Sequence, residues 1–336
     1  MNILVTGGLG YLGSHAVVEL VLQGYEITIL DNLSNSNKKN LKRIEKIIQK
    51  KIKFYQADIR DKFELNKIFQ NNNFSGVMHF AGLKSVKKSN FEREDYFDVN
   101  VNGTRNLINA LNENNNEKKF FIYSSSACVY GSPDYLPYDE SHRLQPENYY
   151  GQTKLESEMI LKEAYKNSKD WKIVVLRYFN PIGAHNSHYI GDDPLGKPEN
   201  LMPNILNAVN SDKTNLEIFG SDHDTFDGTP VRDFIHVEDL INGHVLALDF
   251  LTKCKKDIYE IFNLGTGEGL SVLQLIKSFE DVNNVRVPFK FSKKREGDIS
   301  IYFSSAKKIN KKLGWKPKFS VKDMCKSSWE FHKNSK

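Results

Sequence analysis

The opening stretch MNILVTGGLGYLGSH restricts the possible folds more than any other part of this 336-residue chain. An apolar strand candidate runs directly into the spacing Gly7-x-x-Gly10-x-x-Gly13, and an amphipathic helical pattern, Ser14–Leu22, follows. Glycines in this setting let the backbone turn sharply and approach a pyrophosphate, whose charge then meets the N–H groups of the helix N-terminus. Because the spacing also occurs in ordinary turns, its place between a strand and a helix carries the inference. The chain therefore begins with a predicted dinucleotide-binding unit.

Residues 1–180 alternate short apolar runs with helical patterns such as Thr104–Leu111. Such alternation implies a parallel sheet that helices cover on both faces. The predicted fold class is α/β, with a doubly wound parallel sheet of the Rossmann type. The strand candidates are Ile3–Val5, Tyr25–Leu30, Ile52–Tyr55, Gly76–Phe80, Phe120–Tyr123 and Ile173–Leu176.

The composition changes after Arg177. Residues 181–232 are rich in Pro, Gly, Asn and Asp, and they contain one helical pattern, near Leu201–Val209. Loops of this kind usually carry a binding surface. The apolar stretches Phe234–Leu251 and Ile258–Leu264 follow, then a helical pattern near Val272–Phe279. We expect a nucleotide-binding domain over 1–180 and a smaller C-terminal substrate-binding domain over 181–336, with part of 234–264 returning to the first.

Composition excludes several classes of protein. The net charge of +5 is modest and the lysines are scattered, so nucleic-acid binding is not expected. Three cysteines without C-x-x-C spacing argue against a disulfide framework or a metal site and suit a reducing compartment. The N-terminus reads as a strand rather than a leader peptide, and no apolar run approaches the roughly 18 residues that span a bilayer. We expect a cytoplasmic protein without a membrane partner.

Two acidic residues follow strand candidates at the expected sheet edge. Asp31, in ITILDNLS, ends the second candidate, where a carboxylate accepts the ribose hydroxyls and repels a 2′-phosphate. The predicted cofactor is therefore NAD rather than NADP. Asp58, in YQADIRD, ends the third candidate, where it lies beside the adenine or serves as the N-cap of the next helix; the sequence leaves both open. HFAG, at 79–82, ends the fourth candidate at the same edge.

A tyrosine and a lysine with helical spacing are the strongest catalytic candidates. With 15 tyrosines and 47 Lys and Arg in the chain, chance alone gives about two Tyr-x-x-x-(Lys/Arg) matches. The spacing occurs at Tyr150–Lys154 and at Tyr165–Lys169. Tyr150 begins a helical pattern that follows a strand ending in three serines, Ser124 to Ser126, whereas Tyr165 falls at the far end, roughly 20 Å away. Context therefore selects Tyr150.

The chemistry of this pair suits hydride transfer at an alcohol carbon. A free tyrosine has a pKa near 10, so about one molecule in a thousand is ionised at pH 7. We expect the Lys154 ammonium and the cationic ring of the cofactor to lower the pKa of Tyr150. The tyrosinate can then remove a hydroxyl proton as hydride leaves the same carbon, while Ser126 binds the substrate oxygen.

Taken together, these motifs resemble those of the extended short-chain dehydrogenase/reductase family over nearly the whole chain. The resemblance implies Ser126, Tyr150 and Lys154 as catalytic residues. It also implies that NAD stays bound while UDP-glucose and UDP-galactose interconvert through a 4-keto sugar, and that the protein is a homodimer. The stretches that carry the resemblance are VTGGLGYLGSH, DNLSNS, HFAGLKSV, SSSACVYG, YYGQTK, LRYFNPIGAH, LMPNI, IFGSDHDTFDGTPVRDFIHVEDL, NLGTGEG and REGD.

The resemblance also assigns binding residues. For NAD it implies Gly7, Gly10, Tyr11, Leu12, Gly13, Asp31, Asn32, Asp58, Ile59, Phe80, Ala81, Gly82, Lys84, Asn100 and Tyr178. For the nucleotide-sugar it implies Asn180, Asn200, Leu201, Phe219, Arg232, Arg295, Asp298 and Tyr302. Two arginines suit a diphosphate, because a guanidinium binds phosphate oxygens with charge-assisted, often bidentate hydrogen bonds.

Two positions, Phe234 and Cys128, depart from the family's usual pattern, whereas a third, Tyr302, is no departure. Phe234 stands where tyrosine is common, so a hydroxyl contact to the nucleotide is lost. Cys128 replaces the commoner threonine, and we expect a small buried thiol in the same packing role. Tyr302 aligns with a gate beside the sugar, where a bulky ring is expected to exclude N-acetylhexosamines; an ordinary packing role is the alternative.

Other functions compete with C4 epimerisation. A nucleotide-sugar 4,6-dehydratase of the related family has Asp-Glu directly after the active-site Ser or Thr, whereas this chain has Ala127 and Cys128. A UDP-glucuronate epimerase or decarboxylase shares most of the core residues. A non-catalytic NAD sensor could dispense with Tyr150 or Lys154, and both are present.

Overall fold

The computed structural model describes residues 1–115, 117–210, 215–295 and 298–335. The chain divides into two units, and it enters each of them more than once. The first unit comprises Met1–Gly131, Arg143–Tyr178 and Ile241–Phe262, and the second comprises Ser132–His142, Phe179–Leu240 and Asn263–Lys336. The division after Tyr178 lies close to the predicted boundary at 180, whereas no sequence pattern indicated that 132–142 belongs to the second unit.

The described residues contain the following elements. The strands are β1 Asn2–Thr6, β2 Glu26–Leu30, β3 Lys53–Tyr55, β4 Gly76–His79, β5 Lys119–Ser126, β6 Trp171–Tyr178, β7 Asn180–Ile182, β8 Leu216–Phe219, β9 Val231–His236, β10 Ile258–Leu264, β11 Gly269–Ser271, β12 Phe289–Ser292 and β13 Ile301–Tyr302. The α-helices are α1 Tyr11–Leu22, α2 Lys39–Ile48, α3 Lys62–Gln70, α4 Val86–Ser89, α5 Arg93–Tyr96, α6 Gly103–Asn114, α7 Tyr149–Asn167, α8 Leu201–Val209, α9 Val237–Lys253, α10 Val272–Asn283, α11 Lys307–Leu313 and α12 Val321–Ser335. A π-helical stretch, Phe97–Asn102, precedes α6, and a 3-10 turn, Ala127–Val129, follows β5.

The large sheet has the strand order β10-β6-β5-β4-β1-β2-β3. The pairs from β6 to β3 are all parallel, so their carboxyl ends meet at one edge. From β1 the chain adds β2 and β3 on one side, and then β4, β5 and β6 on the other, so the strand order reverses between β1 and β4. This is the switch point where doubly wound sheets bind ligands. The predicted α/β fold class is therefore confirmed, and all six strand candidates are strands.

Burial explains why these strands are apolar on both faces. All four residues of β4 are buried, as expected for a strand between two helical layers. One hydrophobic cluster packs this sheet against α3, α6 and α7, with members such as Leu65, Leu107 and Leu161. The sheet interior therefore fixes the positions of the strand ends and of the loops that leave them.

The second unit has its own small sheets and its own core. In one sheet β9 lies between β11 and β13, and β7 also pairs with it. In the other, β8 pairs with β12. Helices α8, α10 and α12 contribute Ile205, Phe279 and Met324 to a separate hydrophobic cluster. The helix predicted near Leu201–Val209 is α8, with the same bounds.

Within the described ranges, no helix is both long enough and apolar enough to cross a lipid bilayer.

Candidate active site

The glycine loop joins β1 to α1 with little room for side chains. Gly7 has a positive φ of +67°, and a Cβ there would lie 2.7 Å from the backbone nitrogen of Ala81. A Cβ on Gly13 would lie 2.1 Å from the carbonyl oxygen of Gly7. Gly10 is the N-cap of α1 and has no side chain to cap the first-turn amides, which belong to Tyr11, Leu12 and Gly13. The loop thus presents a helix N-terminus that suits an anionic group.

Asp31 fastens this loop to β2. One carboxylate oxygen, Oδ2, accepts from the backbone nitrogen of Leu9 at 3.0 Å. The other, Oδ1, accepts from the Leu33 nitrogen at 2.9 Å and from the Ser36 hydroxyl at 2.7 Å. A carboxylate has about four acceptor positions, so these contacts with described residues leave about one, on Oδ2. Oδ2 of Asp31 therefore keeps acceptor capacity toward a ribose hydroxyl.

Asp58 lies shortly after the end of β3 and does not cap the next helix. The N-cap of α3 is Asp61, whose side chain accepts from the backbone nitrogen of Glu64. Asp58 instead accepts from the Asn32 amide at 2.9 Å and pairs with Arg60 through two side-chain bonds. The Arg60 hydrogen bonds lower the pKa of Asp58 to about 2. The alternative interpretation of Asp58 as an N-cap is wrong.

The loop after β4 is held by Asn100. The Asn100 side chain accepts from the Leu83 nitrogen at 2.8 Å and donates to the Leu83 carbonyl and to the Thr153 hydroxyl, each at 3.0 Å. Both amide hydrogens are thus used within the protein, and Asn100 shapes the segment that contains Gly82 and Lys84. Among the other predicted cofactor residues, Ile59 packs in the core, and the rings of Phe80 and Tyr178 lie 4.9 and 6.1 Å from that of His244.

The predicted catalytic residues come together at the end of β5. Ser126 is the last residue of β5, and Tyr150 and Lys154 share one face of the first turns of α7. The Tyr150 hydroxyl and the Ser126 side chain are hydrogen-bonded. The Lys154 ammonium donates to the Ser124 carbonyl at 2.9 Å and lies 5.9 Å from the centre of the Tyr150 ring. These three side chains are 8%, 8% and 6% exposed, respectively.

The protein alone does not lower the pKa of Tyr150, contrary to the expectation from sequence. Burial raises it well above the usual value, the nearby Tyr178 adds to this, and the Ser126 hydrogen bond opposes it. Burial also lowers the pKa of Lys154 to about 8, against the opposing charge of Glu158. Lys154 does not lower the pKa of Tyr150 because its ammonium lies over the Tyr150 ring and bonds to the Ser124 carbonyl rather than to the phenol oxygen.

Two neighbouring expectations have different outcomes. Tyr165 lies near the other end of α7, and its ring centre is 5.9 Å from that of Tyr259 in the core. Its part in the Tyr-x-x-x-Lys spacing is therefore incidental. Cys128 is only half-buried, so the predicted buried thiol is wrong. Cys128 lies in the 3-10 turn that leaves the sheet edge, and its backbone nitrogen donates to the Ser126 hydroxyl.

Sequence reasoning missed a buried ion pair behind the catalytic residues. Glu158 and Arg177 bond through Nε at 2.9 Å and Nη2 at 2.5 Å, and both side chains are almost fully buried. Ser125 donates to the same carboxylate at 2.5 Å. The spacing from Lys154 to Glu158 on a helix was the available signal, since residues four apart share a face.

In the second unit, several of the predicted nucleotide-sugar residues form a cluster beside β9. Arg232 bonds to Asp298 at 2.5 Å and pairs in register with Tyr302 of the neighbouring strand β13. The Arg295 guanidinium lies 3.8 Å from the centre of the Phe219 ring. Desolvation lowers the pKa of Arg295, and the charge of Arg232 adds to this. Two cationic side chains thus lie close together, as a diphosphate would require.

The other predicted residues of this unit lie on separate elements. Asn180 begins β7 and pairs with Phe234, which is buried in the core of the unit. Asn200 is the N-cap of α8 and donates to Asp192, and Leu201 is the first residue of that helix. Within the REGD motif, Glu296 and Gly297 lie outside the described residues.

Asp233 is a second residue that the sequence did not single out. Its fully buried carboxylate accepts from the nitrogen and hydroxyl of Ser304 at 3.0 and 2.6 Å. It also accepts from the nitrogen and hydroxyl of Thr266 at 2.7 and 2.6 Å and from the Gly267 nitrogen at 3.1 Å. Asp233 therefore fixes the segment that follows Tyr302. In the part of the chain that the structure describes, no group of His, Cys, Asp and Glu has a metal-binding arrangement.

Comparison with known proteins places these features in a family. The family model described as GDP-mannose 4,6 dehydratase matches residues 4–328. The UDP-glucose 4-epimerase of Bacillus subtilis (strain 168) is 44% identical over 336 residues, covering 100% of this chain and 98% of that protein. A crystal structure of UDP-glucose-4-epimerase from Stenotrophomonas maltophila, with bound NAD and formylated UDP-arabinopyranose, matches with a TM-score of 0.95 at 42% identity, covering 100% of this chain and 98% of that chain. The structure of UDP-glucose 4-epimerase from Bifidobacterium longum in complex with NAD+ and UDP matches with a TM-score of 0.94 at 40% identity, covering 99% and 98%.

The similarity extends over nearly the whole chain, so it includes the large sheet, the glycine loop and the second unit alike. The fold and the matching relatives are those of an extended short-chain dehydrogenase/reductase, which confirms the resemblance drawn from the motifs. Within that class, the chain belongs to the UDP-glucose 4-epimerase family.

Proposed function

We propose that this protein interconverts UDP-glucose and UDP-galactose by removing hydride from the sugar C4 and returning it to the other face of a 4-keto sugar. The observation that carries the proposal is the grouping of Ser126, Tyr150 and Lys154 at the end of β5. The relatives named UDP-glucose 4-epimerase, including two solved with NAD, support it.

The residues of the first unit fit NAD. The close approach of Gly7 to Ala81 and of Gly13 to Gly7 leaves a turn that side chains would fill. The uncapped first turn of α1 suits a pyrophosphate, and the remaining acceptor position of Asp31 suits a ribose hydroxyl. NAD bound there supplies a hydride acceptor and donor at C4 and, when oxidised, a positive ring. We propose the full set of cofactor residues given above on these grounds.

Three side chains serve the proton transfer at the substrate 4-hydroxyl. Tyr150 accepts the proton of the 4-hydroxyl and later returns it, because its hydroxyl is the acid–base group at the crevice edge. Ser126, hydrogen-bonded to Tyr150, binds the same substrate oxygen. Lys154 supplies positive charge beneath the Tyr150 ring. Because burial raises the pKa of Tyr150, ionisation at neutral pH requires further positive charge against the phenol.

The nucleotide-sugar is proposed to bind the second unit. Arg232 and Arg295 offer guanidinium groups to a diphosphate, and Asp298 orients Arg232 through their ion pair. The Arg295 guanidinium packs over the Phe219 ring in a cation–π contact. Asn180, Asn200, Leu201 and Tyr302 complete the proposed set.

Dehydration of the nucleotide-sugar is disfavoured by the residues that follow Ser126. The family model is described by a dehydratase name, but elimination of water requires an added acid and base. Ala127 is buried and apolar, and Cys128 is a thiol, so this turn offers no carboxylate. The reaction that these side chains support is therefore redox-neutral epimerisation.

The test of this function is incubation of the purified protein with UDP-galactose without added NAD. We expect UDP-glucose to form, because the family retains its cofactor, and nuclear magnetic resonance of the sugar product identifies the epimer. UDP-glucuronate serves as the comparison substrate. Turnover of UDP-glucuronate without turnover of UDP-galactose would assign the protein to the rival group of nucleotide-sugar enzymes.

The gate proposed at Tyr302 makes a prediction about sugar selectivity. The Tyr302 ring is 9% exposed and packs between Tyr138 and Phe179, with ring centres 5.1 and 5.0 Å away. We expect Tyr302→Cys to raise kcat/KM for UDP-N-acetylgalactosamine relative to UDP-galactose by about tenfold or more. Tyr302→Phe, which keeps the bulk, should leave that ratio unchanged. Efficient turnover of N-acetylated sugars by the unmodified protein would contradict the gate.

We also propose a cytoplasmic homodimer without nucleic-acid or membrane partners, on the basis of the composition and the family. Light scattering coupled to size-exclusion chromatography measures the mass of the particle, which we expect to be twice the 38.6 kDa of the chain.

A further inference from the structure

Glu158 lies one helical turn beyond Lys154 on the same face of α7, and the protein interior encloses both. Glu158 is 3% exposed and Lys154 is 6% exposed. Their anchors are adjacent residues of β5: Lys154 donates to the Ser124 carbonyl at 2.9 Å, and Glu158 accepts from the Ser125 hydroxyl at 2.5 Å. A carboxylate and an ammonium are thus fixed to the same strand end that carries Ser126.

The two members of the Glu158–Arg177 ion pair come from different elements. Glu158 shares its helix with Lys154, whereas the Arg177 guanidinium comes from β6 and continues to Tyr130, whose hydroxyl is 3.2 Å away. Glu158 is the member of the pair whose charge acts on Lys154. In an interior of low dielectric constant, such an oriented pair acts on a neighbouring charge much more strongly than it would in water.

Three of the other titratable groups around Lys154 carry no negative charge at neutral pH. Tyr150 and Tyr123 have raised pKa values because they are buried. Burial keeps His79 neutral, with a pKa lowered to about 3. The remaining group is Cys128 in the turn after β5, whose thiolate charge also raises the pKa of Lys154. Glu158 is the carboxylate in this set, and its charge opposes the burial that lowers the pKa of Lys154 to about 8.

We propose that Glu158 is a positioning residue that keeps Lys154 in its ammonium form at neutral pH and fixes the strand end to which Lys154 bonds. The proposal rests on the catalytic role proposed above for Lys154. Its consequence concerns the alkaline side of the pH profile. A lysine with a pKa near 8 is an ammonium below that pH and loses the charge as pH rises through it, so removal of Glu158 should move this loss to lower pH.

The experiment compares Glu158→Gln with the double variant Glu158→Gln/Arg177→Gln. The single variant leaves the Arg177 charge unpaired, so reduced folding could obscure its effect, whereas the double variant keeps a neutral hydrogen-bonding pair of similar shape. Two quantities are measured against pH in the intact protein: the rate of UDP-galactose conversion, and the carbon-13 chemical shift of the Lys154 side chain, assigned by its absence in Lys154→Met. We expect both midpoints to fall by about one pH unit or more in the double variant, and further in the single variant.

The outcomes distinguish an effect of the Glu158 charge on Lys154 from a purely structural role of Glu158 as the partner of Arg177. If the double variant regains the midpoint of the unmodified protein, Glu158 is only the partner of Arg177 and the proposal is wrong. An unchanged Lys154 midpoint in the single variant also overturns it. The chemical-shift titration needs no turnover, so it gives its answer even if the protein proves inactive on UDP-galactose, which would instead overturn the proposed function.

Discussion

Replacement of Tyr150 by phenylalanine is expected to lower kcat for UDP-galactose conversion by about a thousandfold, the usual scale for loss of a positioned acid–base group. The aromatic ring remains to pack beside Lys154, so the fold and the bound NAD should be retained. Only the hydroxyl that bonds with Ser126 is lost. Steady-state kinetics give kcat, and the nucleotide released from denatured protein gives the NAD content.

The matched control is Tyr165→Phe. It makes the same chemical change on the same helix, in the other Tyr-x-x-x-Lys spacing, but its ring packs in the core beside Tyr259. We expect its kcat to stay within about twofold of the unmodified protein, because the substitution touches no group of the site. Equal losses in the two variants, or an active Tyr150→Phe protein, would remove Tyr150 from the proposed mechanism.

Replacement of Gly13 by alanine is expected to abolish retention of NAD and to destabilise the protein. The added Cβ would lie 2.1 Å from the Gly7 oxygen and 2.8 Å from the Gly8 Cα, and backbone atoms cannot move aside as flexible side chains do. We expect the free energy of unfolding to fall by about 1–3 kcal/mol, as for other overpacked sites. Chemical denaturation and NAD content measure the two effects.

Gly10→Ala separates the two effects. A Cβ on Gly10 has one close neighbour, the Gly7 oxygen at 3.3 Å, which needs a shift of only a few tenths of an ångström. The stability without cofactor should therefore change by less than about 0.5 kcal/mol. NAD content should still fall, because the methyl takes up space at the N-cap of α1, where we propose that the pyrophosphate binds. A Gly13→Ala protein that purifies with its NAD would show that this turn is not the cofactor site.

The sequence predicted the sheet well because its signals are local. Each strand candidate is a short apolar run before a helix, so β4 and α8 could be read from neighbouring residues alone. The choice of Tyr150 over Tyr165 also followed from local context, since it depended only on which end of α7 lies near β5.

Features that depend on distant residues could not be predicted in this way. The Glu158–Arg177 pair joins α7 to β6, and the bonds of Asp233 to Thr266 and Ser304 join segments far apart in the chain. The pKa of Tyr150 required the depth of burial and the direction of the Lys154 ammonium, neither of which a spacing specifies. The cap of α3 depended on which of two nearby aspartates the chain turns toward the helix.

The contacts of Asp31 have a consequence for the kinetics of cofactor exchange. Its carboxylate already fastens the glycine loop at Leu9 and the following segment at Leu33 and Ser36, using contacts that belong to the protein itself. A loop built this way is preorganised, so little conformational entropy is lost when a dinucleotide binds. More of the interaction free energy then appears as affinity, and affinity differences are expressed mainly in the dissociation rate. We therefore expect slow dissociation of the cofactor, because one carboxylate holds two turns of the chain in place before it binds.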